Sequence, residues 1–332
     1  MLFRSVCAAN GVLRNESTPE GLRFTDVTAE LAPALSNIGL VTGAAWHDVD
    51  DDDSTDLVVA CEWGPISVLR NDGGRLVDTT EAAGLAGHRG WWYGLEVEDV
   101  DGDGDLDLVG LNAGLNTKYG TPSNARPAVL YFGDMDGSGR PDLIEAKCKS
   151  DDKMLPVRGR SCSSGAMPFI RQEFGTFREF ASADLGGIYG ESKLASAARF
   201  EANELQSGVW INLSEPGTPR FEFRPFPRIA QIAPCYDAAI ADFDGDGTID
   251  IVLAQNHDHR EPETGLWRGG VGQFLRGAGD GDFEAVHPRE SGVVLRGDAT
   301  GLESIDVDGD GDLDLVATMN GAPVETLLGT GP

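Results

Sequence analysis

DVDGDGDLDLV, residues 99–109, sets aspartates at 99, 101, 103, 105 and 107 ahead of an apolar, β-branched tail. Like charges at that spacing repel, so a fold that gathers them needs a cation to hold them. The arrangement recurs as HDVDDDDSTDLVV from His47, EDVDGDGDLDLVG from Glu98, GDMDGSGRPDLIE from Gly133, ADFDGDGTIDIVL from Ala241 and IDVDGDGDLDLVA from Ile305. Counted from the first Asp of each copy, acids fall at positions 1, 3, 5 and 9, with Ser138 replacing the acid at position 5 of the third copy. Gly is usual at positions 4 and 6, and position 10 is apolar.

Calcium accounts for this spacing. The ion takes six to eight oxygens, and a tight Gly-bearing loop brings carboxylates from positions 1, 3 and 5, a backbone carbonyl from 7 and a last carboxylate around it. The flanks are strand-like, so each loop joins two strands where an EF-hand joins two helices. The candidate ligands are Asp48, Asp50, Asp52, Ser54 and Asp56 in the first loop and Asp99, Asp101, Asp103, Asp105 and Asp107 in the second. The third offers Asp134, Asp136, Ser138, Arg140 and Asp142, the fourth Asp242, Asp244, Asp246, Thr248 and Asp250, and the fifth Asp306, Asp308, Asp310, Asp312 and Asp314. Three to five structural Ca2+ are expected. The loops from Asp99, Asp242 and Asp306 should bind most tightly; the first has Asp53 where Gly eases a positive φ, and the third, with Ser138 and Arg140, should be the emptiest. Ordinary Asp-Gly turns with solvated acids are the plain alternative, which fixed offsets in five copies disfavour.

The net charge of −29 argues against a nucleic-acid backbone or an anionic membrane as partner and favours a cationic one. No apolar run is long enough to span a bilayer. The N-terminus, MLFRSVCAANGVLRNE, lacks the apolar core of a secretory signal, which fits a cytosolic protein or a chain whose start has been removed. Cys7, Cys61, Cys148, Cys162 and Cys235 form no Cys-x-x-Cys pair, so neither zinc nor thiol redox chemistry is indicated, and at most two bridges could form.

Around the loops the order is strand, acid loop, strand and then a hairpin, as in PISVLRNDGGRLVDTT from Pro65, where Asn71-Asp72-Gly73-Gly74 reads as the turn. Four strands per repeat of roughly 40–60 residues is the pattern of a β-propeller blade. The expected fold is all-β: one propeller domain over residues 1–332 with six four-stranded blades, or seven if the region 150–200 hides another. The wide gap between Asp134 and Asp242 leaves room for a copy without metal residues near Lys193 to Val209. NGVLRNE from Asn10 and LRFTDVT from Leu22 resemble third and fourth blade strands, so the N-terminal strands are expected to complete the C-terminal blade and close the ring. Phe169, Ile170, Phe174, Phe177 and Phe180 at helical spacing predict a small helical insertion at about 167–198, either packed on the rim or facing a core.

The loops resemble the FG-GAP repeat of integrin α-subunit propellers and the related VCBS repeats. LRFTDVTAEL from Leu22, VLRNDGGRLVDTTEAAGL from Val68 and SGVWINLSEPGTPRFEFRPFP from Ser207 are more closely similar to the ASPIC/UnbV group related to cartilage acidic protein. This resemblance implies an exported, calcium-binding propeller without established catalysis, located outside the cell, at its surface or in the periplasm. It also implies a fragment that lacks a signal peptide and a C-terminal ASPIC/UnbV domain.

Other constellations are weaker. Arg296-Gly297-Asp298 matches the tripeptide that integrins read, His257-Asp258-His259 could chelate a transition metal, and Trp91, Trp92 and Tyr93 could stack on sugars or pack between blades. PVRGRSCSSG, with Arg158, Arg160 and Cys162, could bind an anion near a central channel or pair with stray carboxylates. Asn15-Glu16-Ser17 and Asn212-Leu213-Ser214 fit the glycosylation sequon. No nucleophile elbow, His-Glu-x-x-His helix or phosphate loop occurs. The leading expectation is therefore a binding or adhesion module for protein or glycan, with no nucleic-acid partner and no membrane insertion. A polysaccharide lyase or hydrolase using Arg158 and Arg160, and a purely structural repeat module, are the alternatives.

Overall fold

The computed structural model describes residues 10–149, 153–258 and 265–330. Strands β1 (Leu13–Asn15) and β2 (Phe24–Asp26) form a two-stranded antiparallel sheet, followed by helix α1 (Thr28–Leu31) and a 3-10 turn at Pro33–Asn37. The first four-stranded sheet runs β3 (Leu40–His47), β4 (Asp56–Gly64), β5 (Ser67–Asp72) and β6 (Arg75–Asp78), each antiparallel to the next, with β7 (Gly90–Trp91) paired to the end of β4. The turn between β5 and β6 is the expected one: Gly73 and Gly74 take φ of 61° and 92°, as a two-residue hairpin turn requires.

The second sheet begins with β8 (Gly94–Glu98) and β9 (Asp107–Leu111), then leaves its own plane. The excursion builds a nested sheet from β10 (Ala128–Gly133), β11 (Asp142–Cys148) and β12 (Met154–Pro156), then five short helices, α2 (Arg160–Ala166), α3 (Phe169–Glu173), α4 (Phe177–Ser182), α5 (Leu185–Tyr189) and α6 (Glu191–Ser196). It closes with β13 (Ala198–Ala202), which pairs with β10. Only then do β14 (Gly208–Asn212) and β15 (Phe221–Pro225) return to complete the second sheet, β14 beside β9. The third sheet is β16 (Cys235–Ala241), β17 (Asp250–Gln255), β18 (Gln273–Gly277) and β19 (Phe283–Val286), followed by α7 (Pro288–Ser291). The fourth has three strands, β20 (Ala299–Ile305), β21 (Asp314–Met319) and β22 (Glu325–Leu327).

The four serial sheets stack in chain order with first strands side by side, β3 against β8, β8 against β16 and β16 against β20. Period-two alternation supplies a core to both faces of the inner sheets. Val58, Ala60 and Val68 meet Leu95, Leu108 and Trp210 between the first and second; Val109, Leu111 and Ile211 meet Ile251 and Leu253 between the second and third; Val252, Ala254 and Phe274 meet Ala299, Leu315 and Ala317 between the third and fourth. The fold is thus all-β, built mostly of antiparallel four-stranded sheets in a propeller-like order.

Three expectations change. The stretch Lys193 to Val209 holds no metal-free repeat: it passes from α6 through the nested sheet's edge strand β13 to β14, the third strand of the second sheet. The sheets that carry acid loops therefore number four in series and one nested within the second. The N-terminal strands pair with each other and not with the last sheet, where β22 already takes the free edge of β21. Their segment instead lays Val12, Ala32, Leu35 and Ile38 over Leu57, Val59, Leu69 and Leu76 on the outer face of the first sheet. The helical insertion begins earlier than expected, at Arg160, and covers one face of the nested sheet: Met167, Ile170, Phe180, Ile188 and Leu194 bury Met135, Ile144 and Ala146. Phe177 faces solvent instead, with the Arg160 guanidinium over its ring. Among the described residues no helix is long and apolar enough to cross a membrane.

Candidate metal centres

Each acid loop sits between the first two strands of a sheet and is wired by the same backbone contacts. Position 1 organises the turn. Asp99 accepts N–H bonds from Gly102 at 2.8 Å and Gly104 at 3.0 Å, and Asp134, Asp242 and Asp306 receive the equivalent glycine amides. These glycines take positive φ, for instance 77° at Gly102 and 101° at Gly104. The first loop makes the same turn without glycine: Asp51 and Asp53 are held at φ of 54° and 65°, and the amides of Asp52 and Asp53 reach Asp48. Position 5 closes a smaller turn by accepting the N–H of position 7, through Asp52, Asp103, Ser138, Asp246 and Asp310.

Position 9 has a double role that the spacing alone does not reveal. One oxygen of Asp56, Asp107, Asp142, Asp250 and Asp314 accepts the N–H of position 2 in its own loop. In the four serial sheets the other oxygen accepts an N–H from the third strand or just beyond it, from Asn71 at 2.7 Å, Asn212 at 2.7 Å, Gly277 at 3.0 Å and Gly329 at 2.8 Å. The buried acid therefore latches the next strand to the loop. Asn212 extends this further, its Nδ2 donating to the carbonyls of Leu106 at 2.8 Å and Val49 at 3.0 Å, so that one side chain ties the first loop to the second.

Five groups of three carboxylates offer oxygens within 4.8 Å of one another: Asp48, Asp50 and Asp56; Asp99, Asp101 and Asp107; Asp134, Asp136 and Asp142; Asp242, Asp244 and Asp246; Asp306, Asp308 and Asp314. In these groups position 5 joins only in the fourth loop, where position 9 stands aside. The third loop, with Arg140, still brings its three acids together. In the fourth, Arg276 Nε lies 2.7 Å from Asp244, so a loop expected to be among the tightest carries its own counter-charge.

The donor set suits a hard dication, and the first loop supplies the sharpest test of fit. Asp50 is 1% exposed, and neither of its carboxylate oxygens has a hydrogen-bond partner. A buried carboxylate is costly without a compensating charge. Burial, followed by repulsion from Asp56 and Asp52, pushes Asp50 up to about 6. Burial likewise raises Asp107 to about 7, against its bonds from Asn212 and Val100, and raises Asp56, Asp142 and Asp250. Asp134 is lowered by the amide of Gly139 first, and Asp246 by the Thr248 hydroxyl. Ca2+ would be held by Asp48, Asp50 and Asp56 here and by the other four groups of acids elsewhere, and would supply the positive charge these oxygens lack.

The other constellations resolve into structure. Asp298 is 3% exposed and accepts from the Asp258 amide and Asn320, so Arg296-Gly297-Asp298 is not displayed as a recognition loop. His257 stacks on Tyr236 and Asp258 pairs with Arg268, while His259 lies outside the described residues. Trp92 packs on Trp210 between the first two sheets, and Trp91 and Tyr93 join Trp63, Tyr119 and Tyr236 in a buried aromatic cluster, which is the packing role. Arg158 pairs with Glu145, and Arg160 donates to the carbonyls of Phe174 and Gly175, so both arginines fasten the helical cap. Asn212 is buried, whereas Asn15 is exposed. Cys61, Cys148, Cys162 and Cys235 are all unbridged.

No curated protein matches the chain. Among solved structures, the crystal structure of the V. cholerae biofilm matrix protein Bap1 aligns over 75% of this chain at 12% identity, with a TM-score of 0.20, too low to define a shared fold. The chain spans 39% of that structure's length. The FG-GAP-like repeat family model matches residues 48–110 and 242–317, so the chain carries FG-GAP-like repeats across its first, second, fourth and fifth acid loops.

Proposed function

We propose that the protein is an exported calcium-binding module whose serial sheets act as propeller blades, with Ca2+ pinning the turn between the first two strands of each. The observation that carries this reading is Asp50, a buried carboxylate with two unpartnered oxygens set among Asp48 and Asp56. The FG-GAP-like repeats support it, as does the return of the same wiring in loops of different sequence. The ASPIC/UnbV grouping belongs to the same reading. Two of its motifs, VLRNDGGRLVD and GVWINLSEPGTPRFEFRP, are the β5–β6 and β14–β15 hairpins that carry the latching amides of Asn71 and Asn212.

With its metal in place, the module binds a protein or glycan through loops on one end of the sheets, in the manner of an adhesion domain. The enzymatic alternative loses its named apparatus, because Arg158 and Arg160 are engaged in the helical cap. Thermal unfolding in calcium and in excess EGTA tests the metal reading. A ligand bound only by the folded state at about a hundred times its Kd adds about 2.7 kcal/mol, so the midpoint should rise clearly with calcium. Equal midpoints, with no heat of calcium binding by calorimetry, would refute it.

A further inference from the structure

Away from the acid loops, the first strands of three sheets bring carboxyl groups together. Glu96 on β8, Asp237 on β16 and Glu303 on β20 line a cavity of about 290 Å3. The ladder of β16 slips at Cys235/Asp237 and that of β20 at Ala299/Gly301, and bulges of this kind re-aim a side chain or an amide across a junction. Asp237 spans the junction. Its Oδ2 accepts the Leu302 N–H of β20 at 2.8 Å, its Oδ1 accepts the Ala238 N–H at 3.0 Å, and Glu96 shares a hydrogen bond with it from β8.

A hydrogen bond between two carboxyl groups needs a proton on one of them, since two carboxylates so close repel. Asp237 is already committed as acceptor to two amides, so the proton sits on Glu96. Burial first, then the charge of Asp237, its hydrogen bond and the charge of Glu303 push Glu96 up to about 8. The charged groups facing it are all acids: Glu98 on its own strand, Asp237 on β16 and Glu303 on β20, and among the described residues that line the cavity there is no Lys, Arg or His.

We propose that Glu96 and Asp237 form a proton-held clasp that fastens the second sheet to the third and, through Asp237, to the fourth, and that this junction loosens when the proton leaves. The clasp stands apart from the metal loops. Because Glu96 holds its proton more tightly folded than unfolded, its contribution is complete below its unfolded value near 4.5 and is lost as pH rises through about 8.

The test is denaturant unfolding of calcium-saturated protein across that pH range, for wild type, Glu96→Gln and Asp237→Asn. Wild type should lose stability as pH rises from about 5 to about 9. Glu96→Gln keeps a donor for Asp237 without a titrating group and should flatten that fall, whereas Asp237→Asn should move it to lower pH. A wild-type slope retained in folded Glu96→Gln overturns the proposal. The carboxyl carbon resonance of Glu96 in wild-type protein decides independently of any variant: a midpoint well above the ordinary carboxylate range supports the clasp, and a midpoint within that range overturns it.

Discussion

Replacing Asp50 with Asn should move the stability of the protein in opposite directions with and without metal. Without calcium, Asp50 holds its proton up to about 6, so the fold is favoured by this group below about 4 and disfavoured as pH rises through 6. At neutral pH a gap of two units at about 1.4 kcal/mol each sets an upper bound near 3 kcal/mol, and screening by solvent leaves roughly 1–2 kcal/mol. Asn removes that charge, and its amide can donate to Asp48 and Asp56, whose oxygens lie within 4.8 Å. At roughly 1–2 °C per kcal/mol for a chain of 332 residues, metal-free Asp50→Asn should melt about 1–4 °C above metal-free wild type. With calcium the loop loses an anionic ligand, and a tenfold to hundredfold drop in affinity at that site is about 1.4–2.7 kcal/mol. Scanning calorimetry of both proteins in calcium and in EGTA reads all four midpoints. Equal lowering of both melts by the substitution would mean that Asp50 serves packing alone, and the ligand role would fall.

Asp51→Gly and Asp53→Gly should each stabilise the fold slightly, by a few tenths to about 1 kcal/mol, because glycine takes the observed φ of 54° and 65° without a side-chain penalty. Thermal melts of the two variants check this, and Asp51→Gly should show the larger gain, since it also relieves repulsion on Asp105. Asn212→Ala keeps the backbone amide on Asp107 but removes the donor from the carbonyl of Leu106 and leaves that of Val49 only a longer bond from the Ser214 hydroxyl at 3.4 Å. At about 1–3 kcal/mol for an unsatisfied group, it should lower the urea midpoint, with faster amide exchange in the first and second acid loops.

The acid loops and the strands beside them were legible because both follow local rules: fixed offsets for the ligands, period two for the strands and a Gly-Gly turn after Asn71. The pairing of sheets was not. VLRN at 12–15 and VLRN at 68–71 are the same four residues, yet the second lies inside a sheet beside an acid loop while the first forms a separate pair laid over that sheet's outer face. Nothing in four residues records which apolar face they will cover. The excursion between β9 and β14 is hidden for a similar reason, since its strands carry the same alternation as any other and the contact between Val109 and Val209 is made a hundred residues apart. The latch at position 9 left a trace that spacing did not expose. Asn71, Asn212, Gly277 and Gly329 all lie at or near the end of a third strand, so the recurring feature is a backbone amide offered to a buried acid.

That latch explains how so acidic a chain holds its carboxylates inside. Asp56, Asp107, Asp250 and Asp314 are almost fully buried, but each spends both oxygens on amides, one from its own loop and one from the next strand. Charge-assisted bonds of this kind are stronger than neutral ones and offset part of the desolvation. What they cannot offset is the repulsion between that acid and the other carboxylates of its loop, which a proton or a bound cation relieves. On the proposed reading, metal binding and closure of the hairpin would act on one carboxylate, so an ion at the loop would also tighten the third strand. The nested sheet departs from this scheme for a topological reason: β12 pairs with the far end of β11, at Ala146 to Cys148, and so no third-strand amide reaches Asp142 among the described residues. Its loop gathers the acids without the latch, which makes it the place where an ion would hold the turn but leave the rest of the sheet unmoved.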